Sequence, residues 1–156
     1  MKHFSNLHNA WMGLALAEAR ATHASGDVPI GAVVMDSTGS VVGRGRNRRE
    51  ADADPVAHAE VLAIREAAAQ LGRWRLDDCT LVVTLEPCSM CAGAVLLSRI
   101  PRVVMGAWDD KAGAAGSVFD ILRERRLNHW VEVFPEVRAE ECAQLLQDFF
   151  SEKRLA

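Results

Sequence analysis

"CTLVVTLEPCSMCAGAVLLS", residues 79–98, reads as a strand running directly into a helix, and that junction decides the fold. "CTLVVTL" is short, apolar and rich in β-branched residues, as a buried strand should be. Pro87 then opens the helix "CSMCAGAVLLS", which ends near Arg99. Downstream, "RVVMGA" (102–107) reads as a second buried strand and "KAGAAGS" (111–117) as a glycine-rich loop. A short helix "VFDILRER" (118–125), a strand "WVEVF" (130–134) and a final amphipathic helix "RAEECAQLLQDFFSEKR" (138–154) are expected beyond it. Upstream, Asp54-Pro55 has the form of a helix start, with "VAHAEVLAIREAAAQL" running to Gly72. "IGAVVMD", "STGS" and "VVGRG" (30–45) form a strand, a turn and a returning strand. Leu7, Trp11, Leu14 and Ala21, with Ala10 and Ala17, recur at helical spacing and stop at Gly26. Helices alternating with strands after an opening hairpin predict an α/β domain with its sheet between helices and its later strands parallel.

The 156 residues suffice for one domain with a sizeable core, and no repeat, low-complexity tract or linker divides them. We therefore expect a single domain over 1–156. No apolar run approaches the ~20 residues of a membrane-spanning helix. "WMGLALAEARA" (11–21) faintly imitates an export signal, but the polar "HFSNLHN" (3–9) and the charges of Glu18 and Arg20 argue against one. Four cysteines, two of them in a CxxC, then point to a reducing compartment and metal ligation, so the expected location is the cytoplasm. The net charge of −3 gives no global sign of nucleic-acid binding and leaves only local basic surfaces to be sought.

Taken alone, Cys88 and Cys91 allow a redox pair, a closed zinc knot or plain core packing. A second helix start narrows the choice. "HAE" places His58 and Glu60 in the first turn of one helix, as "PCSMC" places the two cysteines in the first turn of the next. Residues three apart on a helix share a face, and a helix N-terminus favours the thiolate, so both sulfurs can hold one ion with His58 as third ligand. One nitrogen and two sulfurs suit Zn²⁺. A closed site needs a fourth protein ligand, yet Cys79, Cys142, His3, His8, His23 and His129 show no ligand pairing, and the two cysteines sit in apolar patterns. Water is the expected fourth ligand, activated by the metal, with Glu60 placed to move protons.

HxE followed after about thirty residues by PCxxC is the arrangement of zinc deaminases. The chain resembles, almost end to end, the bacterial tRNA-specific adenosine deaminases of the cytidine-deaminase-like superfamily. The likeness rests on "VPIGAV" (28–33), "GRNR" (45–48), "DPVAHAE" (54–60), "TLEPCSMCAGA" (84–94), "SRIPRVVMGAWDDKAGAAGS" (98–117) and "LLQDFF" (145–150). It implies a three-layer α/β/α cytidine-deaminase-like fold with a five-stranded mixed sheet, one zinc per subunit, and a homodimer. The implied substrate is the wobble adenosine of a tRNA anticodon, chiefly that of an arginine tRNA, hydrolysed at C6 to inosine and ammonia. By the same resemblance His58, Cys88 and Cys91 hold the metal and Glu60 is the catalytic proton carrier. Asn47 bonds the nucleoside, Val28 packs on the base, and the Ala59 backbone meets its edge. The amides near Pro87 and Cys88 support the reacting oxygen, and Asp109 and Lys111 contact the substrate. The rival reading of Asn47 from its position alone is a turn residue after a strand.

Two features depart from the family pattern. Trp108 precedes Asp109 where a basic residue is more usual, and it could stack on a flanking base or cover the pocket wall. The tail "SEKRLA" is short and nearly charge-balanced. Arg44, Arg46, Arg48 and Arg49 surround Asn47, Arg123, Arg125 and Arg126 cluster farther on, and Lys153 and Arg154 lie on the last helix. These are the candidates for tRNA backbone contacts, although a solvated helix face is the better account of some of Arg123 to Arg126. Two rival readings remain: a deaminase of a free base or nucleoside such as guanine or cytidine, and a zinc-stabilised binding module. The arginines favour tRNA over the first, and Glu60 has no use in the second.

Overall fold

The computed structural model describes residues 2–156, with side chains from residue 5 onward. Helix α1 (Lys2–Ala21) passes through a 3₁₀ turn (Thr22–Ser25) to Gly26, whose φ of 73° ends the helical run. The hairpin β1 (Gly31–Met35) and β2 (Val41–Arg46) precedes α2 (Ala59–Leu71) and β3 (Thr80–Leu85). Then follow α3 (Ser89–Leu97), β4 (Arg102–Ala107), β5 (Glu132–Phe134) and α4 (Ala139–Leu155). The sheet order is β2-β1-β3-β4-β5, with β1 antiparallel to both neighbours and β3, β4 and β5 parallel.

Alternation along the strands builds the three layers. Ala32, Val34, Leu81, Val83, Val103 and Met105 face one way and pack with Ala59, Ala63 and Ala67 of α2 and Ala92, Val95 and Leu96 of α3. Val33, Met35, Val82 and Val104 face the other way, onto Met12, Ala15 and Leu16 of α1 and Cys142 of α4. This is the expected α/β/α fold with a five-stranded mixed sheet. Small residues set the spacing. A Cβ on Gly45 would collide with the Ala59 carbonyl, so the bare backbone of β2 lets the start of α2 lie directly on the sheet.

Two expected elements differ. Helix α2 begins at Ala59, not at Asp54-Pro55, because Asp54 closes a turn there: its Oδ1 accepts the Val56 amide at 2.9 Å. The short helix at 118–125 does not form. The amides of Ile121 and Val131 instead bond the carbonyls of Ala114 and Leu122, and Ala115 bridges Asp120, so the segment folds as turns that bury Leu122. Because β1 runs opposite to β2 and β3, and β4 runs with β3, the segments after β2, β3 and β4 all emerge at one sheet edge. The chain entering β1 starts there as well. That edge carries the site.

Candidate active site

His58 and Cys88 are the N-cap residues of α2 and α3, both with extended backbone, rather than residues of the first turn. Their carbonyls accept the amides of Leu62 and Ala92, which starts each helix while leaving the side chain free to turn toward the sheet edge. Glu60 is then the second residue of α2 and Cys91 the third of α3. Nδ1 of His58 lies 3.5 Å from Sγ of Cys88 and 3.5 Å from Sγ of Cys91. A tetrahedral zinc, with Zn–N of about 2.0–2.1 Å and Zn–S of about 2.3 Å, sets N···S edges of roughly 3.5 Å, so the donors fit the ion in kind and spacing. Among the described residues this is the one cluster of metal-ligating side chains. Cys79 and Cys142 are buried elsewhere, His8 stacks edge-on against Phe134, and His129 bonds the Ile100 carbonyl, while His3 lies outside the described side chains. No described residue provides a fourth ligand.

The electrostatics follow the geometry. A hydrogen bond from Cys91, with burial opposing it and His58 reinforcing it, pulls the Cys88 thiol down to about 3. The Cys88 thiolate and burial push Cys91 upward. Two helix N-termini face these sulfurs, and their positive ends favour the anionic form a metal requires. Glu60 is buried, and desolvation raises its carboxyl above the usual range, with hydrogen bonding from Cys91 opposing the shift.

His58, Glu60 and Cys88 line a cleft of about 230 Å³ bounded by Val28, Ile30, Asn47, Arg49, Leu85 and Asp109. It is smaller than the ~300–1,000 Å³ that take drug-sized ligands, and suits one flat ring system. A larger hollow of about 510 Å³ lies between the end of α1 and α4, but it holds no metal-ligating cluster and the chemistry lies in the smaller cleft. Asn47 is both a turn residue and part of this wall. Its Oδ1 accepts the Arg49 amide at 3.1 Å and its Nδ2 donates to the Val28 carbonyl at 3.2 Å. Ala59 also lines the cleft; Pro87 and Lys111 do not. Of the four arginines near Asn47, Arg49 reaches the cleft, while Arg44, Arg46 and Arg48 border a separate hollow. Arg46 faces Glu18 and Arg48 is bidentate to Asp52. Arg123 and Arg126 are paired with Asp120 and Glu124. Lys111, Lys153 and Arg154 share one hollow along α4.

Sequence reasoning missed Glu86. Its buried carboxylate lines the cleft and accepts the amides of Asp109, Ala115 and Ser117 and the Ser117 hydroxyl. Burial alone would raise its pKa, but these donors hold it below the usual carboxylate range.

Fold and site together define a zinc-binding deaminase. Residues 5–107 match the model of the cytidine and deoxycytidylate deaminase zinc-binding region, and the chain belongs to that family of hydrolytic deaminases. Within it, the chain is 49% identical over 144 residues to the tRNA-specific adenosine deaminase of Bacillus subtilis, covering 92% of this chain and 89% of that one. A solved structure of a tRNA:A34 deaminase, studied for A-to-I editing at the wobble position of transfer RNA, is 41% identical with a TM-score of 0.83. The match covers 88% of this chain and 99% of that one. The guanine deaminase of Nitrosomonas europaea is also similar, at 29% identity and a TM-score of 0.76, over 92% of this chain and 84% of that one. No described helix is long and apolar enough to cross a membrane.

Proposed function

We propose that the protein hydrolyses adenosine to inosine at the wobble position of a tRNA anticodon, that of an arginine tRNA, and releases ammonia. The observation that carries this reading is a three-donor metal cluster, open to a base-sized cleft, with buried Glu60 beside it, in a chain 49% identical to a tRNA-specific adenosine deaminase. His58, Cys88 and Cys91 hold the zinc. When bound, zinc supplies the Lewis acidity that activates water for attack on a ring carbon. Glu60 takes one proton from the attacking water and delivers it to the ring nitrogen. It then takes the second from the hydroxyl on C6 and passes it to the amine, which leaves as ammonia as the C6–N bond breaks and C6=O forms. Val28 and Asn47 hold the base, the Ala59 backbone meets its edge, and Asp109 flanks it. The amides near Pro87 and Cys88 steady the reacting oxygen.

Lys111, Lys153 and Arg154, which border one hollow, serve the flanking phosphates together with Arg49 at the cleft, and Arg44, Arg46 and Arg48 extend that surface. An anticodon loop is already single-stranded, so turning one base out is cheap. Residues 1–156 act as one domain, as a homodimer, in the cytoplasm. The second reading, a free-base deaminase, is favoured by the likeness to the guanine deaminase. Incubation with an arginine-tRNA anticodon stem-loop bearing wobble adenosine, alongside free adenosine, guanine and cytidine, separates the two. Inosine in the stem-loop is the expected product, and turnover of a free base alone refutes the proposal.

A further inference from the structure

We infer that Glu86 is a positioning residue for the reaction, acting through the 109–117 loop on how substrate sits in the cleft; this rests on the deaminase reading above. Its carboxylate is saturated by four donors. Oε1 accepts the Asp109 amide at 2.9 Å and the Ser117 hydroxyl, and Oε2 accepts the amides of Ala115 at 2.9 Å and Ser117 at 3.0 Å. The donors lie 23 to 31 residues downstream, so one side chain at the end of β3 fixes both ends of a loop that follows β4. The loop is also tied by its backbone to the segment that carries the metal ligands. The Ala114 amide donates to the Pro87 carbonyl at 2.8 Å, and Gly113 bridges Cys88. A Cβ on Gly113 would collide with the Glu86 carboxylate, so the loop approaches as closely as its backbone permits.

The loop contributes Asp109 and Ala112 to the cleft wall, and Trp108 precedes it. Asp109 Oδ1 is occupied by the amides of Lys111 and Ala112, at 3.0 and 3.3 Å, so the loop holds its own turn while Glu86 fixes where that turn stands. Glu86 touches none of His58, Cys88 or Cys91 through a hydrogen bond; its effect falls on substrate placement, not on metal retention.

Glu86→Gln keeps the shape but turns one oxygen into a donor facing donors. We expect full zinc content, KM for the stem-loop raised about tenfold, and kcat reduced less than KM is raised. The amides of Asp109, Ala115 and Ser117 should exchange hydrogen faster, while those of β3 and β4 hold. Ser117→Ala, which removes one donor and no charge, should show a smaller rise in KM, and it stands as the test if Glu86→Gln does not fold. Unchanged KM with unchanged loop exchange in the folded variant overturns the inference, as does an equal fall in kcat and kcat/KM with loss of zinc. Should the wild type leave the stem-loop untouched, the substrate reading fails instead, and the exchange measurement still decides whether Glu86 holds the loop.

Discussion

His58 Nδ1 stands 3.5 Å from Cys88 Sγ although 30 residues separate them, and that edge already has the length a tetrahedral zinc demands. The two residues meet because each caps a helix, and the two helices leave the same edge of one sheet. A site made of caps is rigid where backbone hydrogen bonds start, so it can be in place before the ion arrives.

Removal of one donor should therefore empty the site. Cys91→Ala is expected to purify without stoichiometric zinc and to lose several kcal/mol of catalysis, roughly a thousandfold in rate. Metal analysis alongside a deamination assay checks this. Full activity in a zinc-free variant would contradict it.

The placement of α2 depends on Gly45. Adding a methyl there drives it into the Ala59 carbonyl, next to both His58 and Glu60. Gly45→Ala should destabilise by about 1–3 kcal/mol and weaken zinc retention together, as seen by thermal melting and chelator competition. A loss of stability with zinc affinity untouched would show that α2 carries its ligand independently of β2.

Asp27 contributes to the acid limb of stability. Burial raises its pKa, but the Ser25 hydroxyl and the amides of Glu50 and Ala51 outweigh that and lower it. A depressed carboxylate contributes stability above its unfolded pKa, about 3.9, and loses it as pH falls through the lower folded value. Asp27→Asn should cost about 1–3 kcal/mol at pH 7 and flatten the decline below about pH 4, measured by urea unfolding. An identical acid limb in the variant would assign the decline to other carboxylates.

Cys79 and Cys142 should be inert in the folded protein. Burial, with Asp78 adding to it, pushes the Cys79 thiol up to about 12; burial, with Glu141 adding, pushes Cys142 up to about 11. Alkylation at pH 8 should reach neither until the chain is unfolded, as peptide mass mapping would show. Rapid native labelling of either would mean that α4 or the start of β3 opens readily.

The strands at 80–85 and 102–107 and the cluster of His58, Cys88 and Cys91 with Glu60 in the same cleft are legible in the sequence, because apolar runs and ligand spacing are local signals. Others are not local. Asp54-Pro55 looks the same whether it starts a helix or closes a turn, and the Asp54 side chain chooses the turn. The helical pattern of 118–125 is overridden by carbonyls that only the folded loop presents. Glu86 reads as an ordinary polar residue at a strand end, since its donors reach it only after β4 has crossed back beside β3. The arginines around Asn47 suggest one basic patch, whereas Arg49 alone reaches the cleft and Arg44, Arg46 and Arg48 border a separate hollow, with Arg46 and Arg48 paired to Glu18 and Asp52.

The most direct test of the central claim compares wild type with Glu60→Gln on the wobble-adenosine stem-loop, with zinc measured in both. The account predicts inosine with wild type, and in the variant equal zinc with a rate about 10²–10⁴-fold lower. Equal zinc and an undiminished rate in Glu60→Gln would contradict it.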